Sequence, residues 1–175
     1  MRKKLLSGLV SFALLASLLA VSMVFAKGPQ GQAGKSNIAH LYLYEKDPST
    51  WEIVEDGAWG KMKYNLAGST FDFVFNGHGL EPGYEYTLIY YPDPWPGNGL
   101  ICFGQGIAND DGDVHIAGSV ELDVDPPIEV DDNYPDGAKI WLVLSNDVDC
   151  SVKMIGWHPT EYLFEHNLIA FDDTD

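Results

Sequence analysis

Short alternating apolar runs, turn residues at close spacing and the lack of any sustained helical period predict an all-β chain. The expected architecture is an antiparallel two-sheet sandwich of eight or nine strands, with a closed barrel as the alternative. The clearest alternation is Thr70–Asn76, where Phe71, Phe73 and Phe75 share one face and Asp72, Val74 and Asn76 the other.

The strands follow in order. Ile38–Tyr44 opens the domain, and "EKDPST" turns it, with Pro48 fixing the backbone. Trp51–Val54 reads as a short strand. Ala58–Leu66 sets Met62, Tyr64 and Leu66 against Lys61, Lys63 and Asn65, and leaves Trp59 on the lysine face. Tyr84–Tyr91 comes next, then "PDPWPGNG", a Pro/Gly loop that cannot sit inside a sheet. Leu100–Ala108 is interrupted by Gly104 and Gly106. "NDDGD" is a tight hairpin turn, since Asp-Gly suits positive backbone angles. Asp113–Leu122 returns with Val114, Ile116 and Val120 inward and His115 outward. Lys139–Ser145 is apolar from Ile140 to Leu144, as in a central strand covered on both sides. Cys150–Ile155 and an apolar stretch from Tyr162 to Phe171 complete the domain. The expected core is Phe71, Phe73, Phe75, Tyr86, Leu88, Ile116, Ile140 and Leu142.

The first 26 residues read as a secretory signal. Arg2, Lys3 and Lys4 precede an apolar run from Leu5 to Phe25, and Val24-Phe25-Ala26 has the small-residue pattern of a cleavage site. An uncleaved anchor is the rival reading, because about 20 apolar residues can span a bilayer. The expected organisation is a signal over 1–26, a flexible lead-in over 27–37, one domain over 38–171 and an acidic tail over 172–175. Secretion or display at the cell surface follows, with no stable membrane insertion after cleavage.

Charge narrows the partners. The chain carries 10 basic and 26 acidic residues, a formal charge of −16. Loss of Arg2, Lys3 and Lys4 leaves seven lysines and no arginine against the same 26 acids, or −19. Nucleic acid is disfavoured, because phosphate binding needs clustered cations, and an anionic membrane surface would repel the chain. Two cysteines in an exported chain, Cys102 and Cys150, predict one disulfide, worth about 4 kcal/mol through loop closure, with two separate buried thiols as the competing reading.

"GLEPGYEYTLIYY" resembles the L-x-P-x-x-x-Y corner of fibronectin type III and other immunoglobulin-like domains. The resemblance implies an immunoglobulin-like sandwich in which the Tyr86 hydroxyl bonds back to the loop of Leu80 and Pro82. The corner lies mid-domain here, unlike its place in fibronectin type III. The stretches "FDFVFNGHGLEPGYEYTLIYYPDPWPGNGLICFG", "GDVHIAGSVEL", "GAKIWLVLSNDV" and "GWHPTEYLFE" are similar to a group of small exported bacterial and archaeal proteins without an assigned activity. The "GL-x-PG" turn and "G-x-V-H-I-x-G" strand also resemble the CHRD-type sandwich, as architecture only.

Chemistry-bearing motifs are sparse. Asn109–Asp113 fails as an EF-hand: with Gly112 at loop position 6, Ile107 and Gly118 would occupy the positions that need carboxylates. The acidic loop holds Asp123, Asp125, Glu129, Asp131, Asp132 and Asp136, a candidate calcium site; a solvated connector is the competing reading. His40, His78, His115, His158 and His166 show no metal-ligand spacing. No nucleophile-elbow or zinc-protease motif occurs, so an enzyme is not expected. Trp141 belongs to the buried-looking strand. Trp95 between prolines and Trp157 before His158-Pro159 are loop aromatics, able to stack on sugar rings or fill a partner's pocket, or else to fold back as end caps.

Three functions are open: a binding module for an extracellular protein or glycan, a self-assembling structural protein joined by strand addition, and a small hydrolase. The signal reading predicts that N-terminal sequencing of exported protein finds Lys27; an intact Met1 in the membrane fraction contradicts it.

Overall fold

The structure is a computed structural model that describes residues 36–174. The expected signal segment and nearly all of the lead-in lie outside the described residues. Twelve strands follow in chain order: β1 Ile38–Tyr44, β2 Trp59–Asn65, β3 Ala67–Gly68, β4 Phe71–His78, β5 Glu85–Tyr91, β6 Ile101–Ile107, β7 Val114–Val120, β8 Lys139–Leu144, β9 Val148–Asp149, β10 Lys153–Met154, β11 Leu163–Glu165 and β12 Asp172–Asp173. The chain is all-β, as the periodicity predicts.

Eight of the strands form one antiparallel sheet, in the order β6-β5-β8-β11-β1-β2-β4-β7. The expected division into two sheets is therefore not seen. The reason is β11. This three-residue strand pairs on one side with β8, Phe164 opposite Trp141, and on the other with β1, Tyr44 opposite Phe164. It joins what would otherwise be a three-stranded sheet, β6-β5-β8, and a four-stranded one, β1-β2-β4-β7. In the sequence it is hidden within the apolar stretch from Tyr162 to Phe171.

The sheet curls until its edge strands β6 and β7 meet, so the shape is nearly a barrel. Glycines allow the approach. A Cβ at Gly106 would stand 2.8 Å from Val114 Cγ2 and 3.1 Å from Ile116 Cγ1, and one at Gly104 would stand 2.9 Å from Ile116 Cγ2. The strand pattern is also broken by a bulge: Leu88 pairs with Gly104 and Ile89 with Cys102, leaving Phe103 between them. The extra residue turns Phe103 into the core, where it packs on Phe71 at 4.8 Å between ring centroids.

All eight residues of the expected core are buried together inside the curled sheet. β4 alternates without exception, with Phe71, Phe73 and Phe75 buried and Asp72, Val74 and Asn76 exposed. Tyr86 is buried there too, and its hydroxyl accepts from the Glu81 backbone N–H at 3.2 Å. Burial pushes the Tyr86 phenol up.

A second cluster lies on the outside of β5, β8 and β11. It comprises Ile89, Tyr91, Leu100, Trp141, Val143, Val148, Met154, Tyr162 and Phe164. Tyr86 to Tyr91 are consecutively buried, because alternate residues serve the two cores. The expected central strand, β8, is covered on both faces in the same way.

Two smaller expectations change. Trp51–Val54 is no strand; only a Lys46–Ile53 bridge and a turn closed by Trp51 N–H on the Asp47 carbonyl, at 2.7 Å, remain. The acidic tail, over its described residues, pairs with the domain: β12 runs parallel to β3, and the Asp172 N–H donates to the Leu66 carbonyl at 3.1 Å.

Phe73 is enclosed by Phe71 and Phe103. Phe73→Ala should lower unfolding free energy by about 3–5 kcal/mol in denaturant titration. A loss below about 1 kcal/mol would contradict full burial of that ring.

Candidate functional site

The outer cluster continues to the surface as an aromatic cleft. Trp51, Tyr91, Trp95, Trp141 and Trp157, with Asp93 and Lys139, line a cavity of about 550 Å³. Trp95 and Trp157, the two loop aromatics singled out in the sequence, come together edge to face at 5.3 Å. They do not fold away as end caps: Trp95 remains 52% exposed and Trp157 40%. Trp141 lies under them, 6.1 Å from Trp157 and stacked on Tyr91 at 3.8 Å with ring planes 10° apart. Such a stack is worth about 0.5–1.5 kcal/mol beyond the area it buries.

Each wall has its own support. The loop 92–99 carries Trp95, with cis peptide bonds before Pro94 and Pro96. Its Gly97 N–H donates to the Pro94 carbonyl at 2.9 Å. Gly97 has φ +76°, and a Cβ there would lie 2.5 Å from the Tyr91 ring, so only glycine fits the turn over that ring. The loop is tied sideways to the β9–β10 hairpin through Met154 N–H to the Pro96 carbonyl, 2.9 Å, and Gly99 N–H to the Val152 carbonyl, 3.3 Å. Cys102 and Cys150 are bonded across the same junction, with Cα atoms 5.5 Å apart.

Beneath this loop sits Asp131, only 3% exposed. Its carboxylate accepts from the Tyr90 hydroxyl at 2.7 Å, from the Asp93 N–H at 3.1 Å, and from both the backbone and side-chain amides of Asn133 at 2.9 Å. Burial, and then the bond to this carboxylate, push the Tyr90 phenol far up. Asp93 in turn pairs with the Lys139 ammonium and accepts from Asn133 Nδ2 at 2.8 Å.

The segment that carries Trp157 is held by a second buried carboxylate. Asp147, 4% exposed, accepts from the Tyr162 hydroxyl at 2.5 Å and bonds His158 Nδ1 at 2.7 Å. Its backbone carbonyl takes the Ile155 and Gly156 N–H groups at 2.8 and 3.1 Å. Gly156 passes so close that a Cβ would lie 2.0 Å from Asp147 Oδ1. The third wall, Trp51, has φ +60°, a left-handed conformation uncommon for an aromatic residue. It sets the indole edge to face on Phe164 at 5.2 Å.

Sequence reasoning missed Trp51, Tyr91, Asp93 and Lys139, and read Trp141 as core alone. The available signal was β8 itself: a strand apolar on both faces needs an outer cover, and aromatic loops nearby are the obvious material.

The six candidate calcium residues do not converge; Asp123 and Asp125 share a depression with Asp173, apart from the other four. Asp131 turns inward and spends its carboxylate on Tyr90, Asp93 and Asn133. Asp125 Oδ1 accepts from the Asp173 N–H at 2.7 Å. Asp123, Glu129, Asp132 and Asp136 are spread along the exposed side of the loop. Among the described residues, no three carboxylate, histidine or cysteine groups converge on a metal position. The loop that charge density suggests as a cation site is a strut under the Trp95 loop. A larger depression of about 810 Å³ near Asn65–Thr70 is lined by small polar residues, by Lys63 and Asp72, and by the apolar Ile38, Tyr64, Phe73 and Val74.

Among the described residues no helix is long and apolar enough to cross a membrane. Comparison with protein-family models, with curated proteins and with solved structures finds no match.

Close to the cleft, Glu165 is partly buried beside Trp141. Burial pushes its carboxyl up to about 7, against the opposing pull of its own backbone amide, Lys46, Lys139 and the Trp141 indole. Neither Trp141 Nε1 nor Glu165 Oε2 closes a hydrogen bond of normal geometry. Lys46 Nζ instead donates to the Glu165 backbone carbonyl at 2.9 Å. Between the ordinary carboxyl value of 4.5 and about 7, the folded chain holds a proton at Glu165 that the unfolded chain has lost. Stability from this group therefore falls as pH rises through that window. Melting curves at pH 5 and pH 8 should show a smaller fall for Glu165→Gln than for the native chain; equal falls would contradict a proton held at Glu165.

Proposed function

We propose that the chain is an exported, non-enzymatic binding module that meets an extracellular protein or glycan through the aromatic cleft. One observation carries the reading. Trp95 and Trp157, from loops far apart in sequence, meet over Trp141 and stay half exposed on supports that are already hydrogen bonded. Exposed aromatic rings on ordered loops bind at little conformational cost, which is why Trp and Tyr dominate binding hot spots.

Export is supported by the Cys102–Cys150 bond, which persists in oxidising compartments, and by the basic and then apolar start of the chain. The non-enzymatic reading is supported by the cleft's chemistry. Two-carboxylate hydrolysis needs a pair of acids flanking the bond. The lining has one carboxylate, Asp93, and it is already bonded to Lys139 and Asn133. Assembly by strand addition is the weaker alternative, because the edge strands β6 and β7 are turned toward each other.

The test uses labelled mature protein on intact cells and shed extracellular material of the producing organism. Native protein should be retained, and Trp95→Ala with Trp157→Ala should cut retention to about a tenth or less. No retention, or equal retention of both proteins, contradicts the reading.

A further inference from the structure

Resting on the binding reading above, we infer that the cleft takes a neutral glycan, its sugar rings stacked on the exposed indoles and its hydroxyls bonded to Asp93 and Lys139. The aromatic part of the cleft sets the first requirement. Trp51, Trp95 and Trp157 are 50%, 52% and 40% exposed, and the Trp95 and Trp157 ring planes lie 74° apart. Flat faces at an angle suit a ligand that has apolar C–H faces of its own and changes direction between units. A pyranose chain has both properties.

The polar end sets the second. Asp93 and Lys139 are paired, so together they bring no net charge into the cleft. Both bonds to Asp93 from Lys139 and Asn133 fall on Oδ2, and Oδ1 has no hydrogen-bond partner among the described residues. Lys139 Nζ keeps two further N–H donors beyond its bond to Asp93. An acceptor and donors thus stand side by side, the arrangement that adjacent sugar hydroxyls satisfy. A lipid or other wholly apolar ligand would strip water from this pair without replacing its hydrogen bonds, at a cost in affinity.

Charge selects among the remaining ligands. The chain's formal charge of −16 repels acidic polysaccharides. An organic ammonium ion would be drawn to the rings and to Asp93, but it would meet the Lys139 ammonium in the same lining. A neutral polyhydroxylated chain meets neither penalty. The cavity of about 550 Å³ is of small-molecule size, and the half-exposed rings at its mouth leave room for the chain to continue outward.

The test is calorimetric titration of the mature, disulfide-bonded protein, with tryptophan emission as a second readout. The probes are neutral hexaoses of glucose, mannose, xylose and N-acetylglucosamine, with polygalacturonate, choline chloride and an oligoproline peptide as comparators. At least one neutral oligosaccharide should saturate the protein and change its emission. Trp95→Ala and Trp157→Ala should each weaken that binding about tenfold or more. Both side chains are substantially exposed, and unchanged circular dichroism would show the fold intact. Asp93→Asn leaves Lys139 uncompensated, so it should weaken the neutral sugar and strengthen polygalacturonate binding. Failure of every neutral oligosaccharide overturns the inference, as does binding that the tryptophan variants leave unchanged. Saturation by choline or oligoproline alone, with cell retention still dependent on Trp95 and Trp157, overturns the glycan and leaves the binding cleft standing. Loss of both overturns the two together.

Discussion

Double-sided burial of β5, β8 and β11 is the constraint from which the rest of the molecule follows. Their inward residues, Tyr86, Leu88, Tyr90, Ile140, Leu142 and Leu163, fill the curled sheet. Their outward residues, Ile89, Tyr91, Trp141, Val143 and Phe164, are just as apolar and would otherwise face water. Each such side chain is worth about 1.5–3 kcal/mol when fully buried, so the outer face demands a cover. The chain provides one from its irregular segments, the loop 92–99 and the stretch 145–162. The cleft is the place where that cover stops short of closing.

Covering a sheet with loops creates a polar problem, because buried backbone groups need partners. Two carboxylates solve it. Asp131 collects donors from Tyr90, Asp93 and Asn133, and Asp147 collects Tyr162 and His158 while its carbonyl takes Ile155 and Gly156. Each acid is anchored to a tyrosine rooted in the sheet or its outer cluster, and each positions one tryptophan-bearing loop. The disulfide then joins the end of β6 to the β9–β10 hairpin, so the two loops cannot drift apart independently. Rigid supports under exposed rings are what a preorganised binding site requires.

Much of the strand framework was legible, because burial on one face writes a period of two into the sequence. The β4 phenylalanines and the apolar run Ile140–Leu144 are read correctly for that reason. The closure of the sheet was not legible. It depends on the three-residue strand β11, which lies between β8 and β1 and is too short to carry a period, and on glycines whose meaning is the strand lying opposite them. The cleft was half legible: Trp95 and Trp157 stood out because prolines flank them, whereas Trp141 looked like ordinary core. The acidic loop misled for a physical reason. Composition counts carboxylates but cannot tell that Asp131 points inward to hold a neighbouring loop.

The central claim is that the aromatic cleft is ordered before any ligand arrives. Native-state amide hydrogen exchange on the ligand-free protein tests it most directly. The Met154, Ile155, Gly156 and His158 N–H groups donate to Pro96, Asp147 and Tyr162. They should exchange through the same slow opening as the β8 amides, with protection that drops when the disulfide is reduced. Exchange of these amides at the rate of an unstructured chain, while β8 stays protected, would mean that the loops are mobile and that the cleft does not exist until something binds.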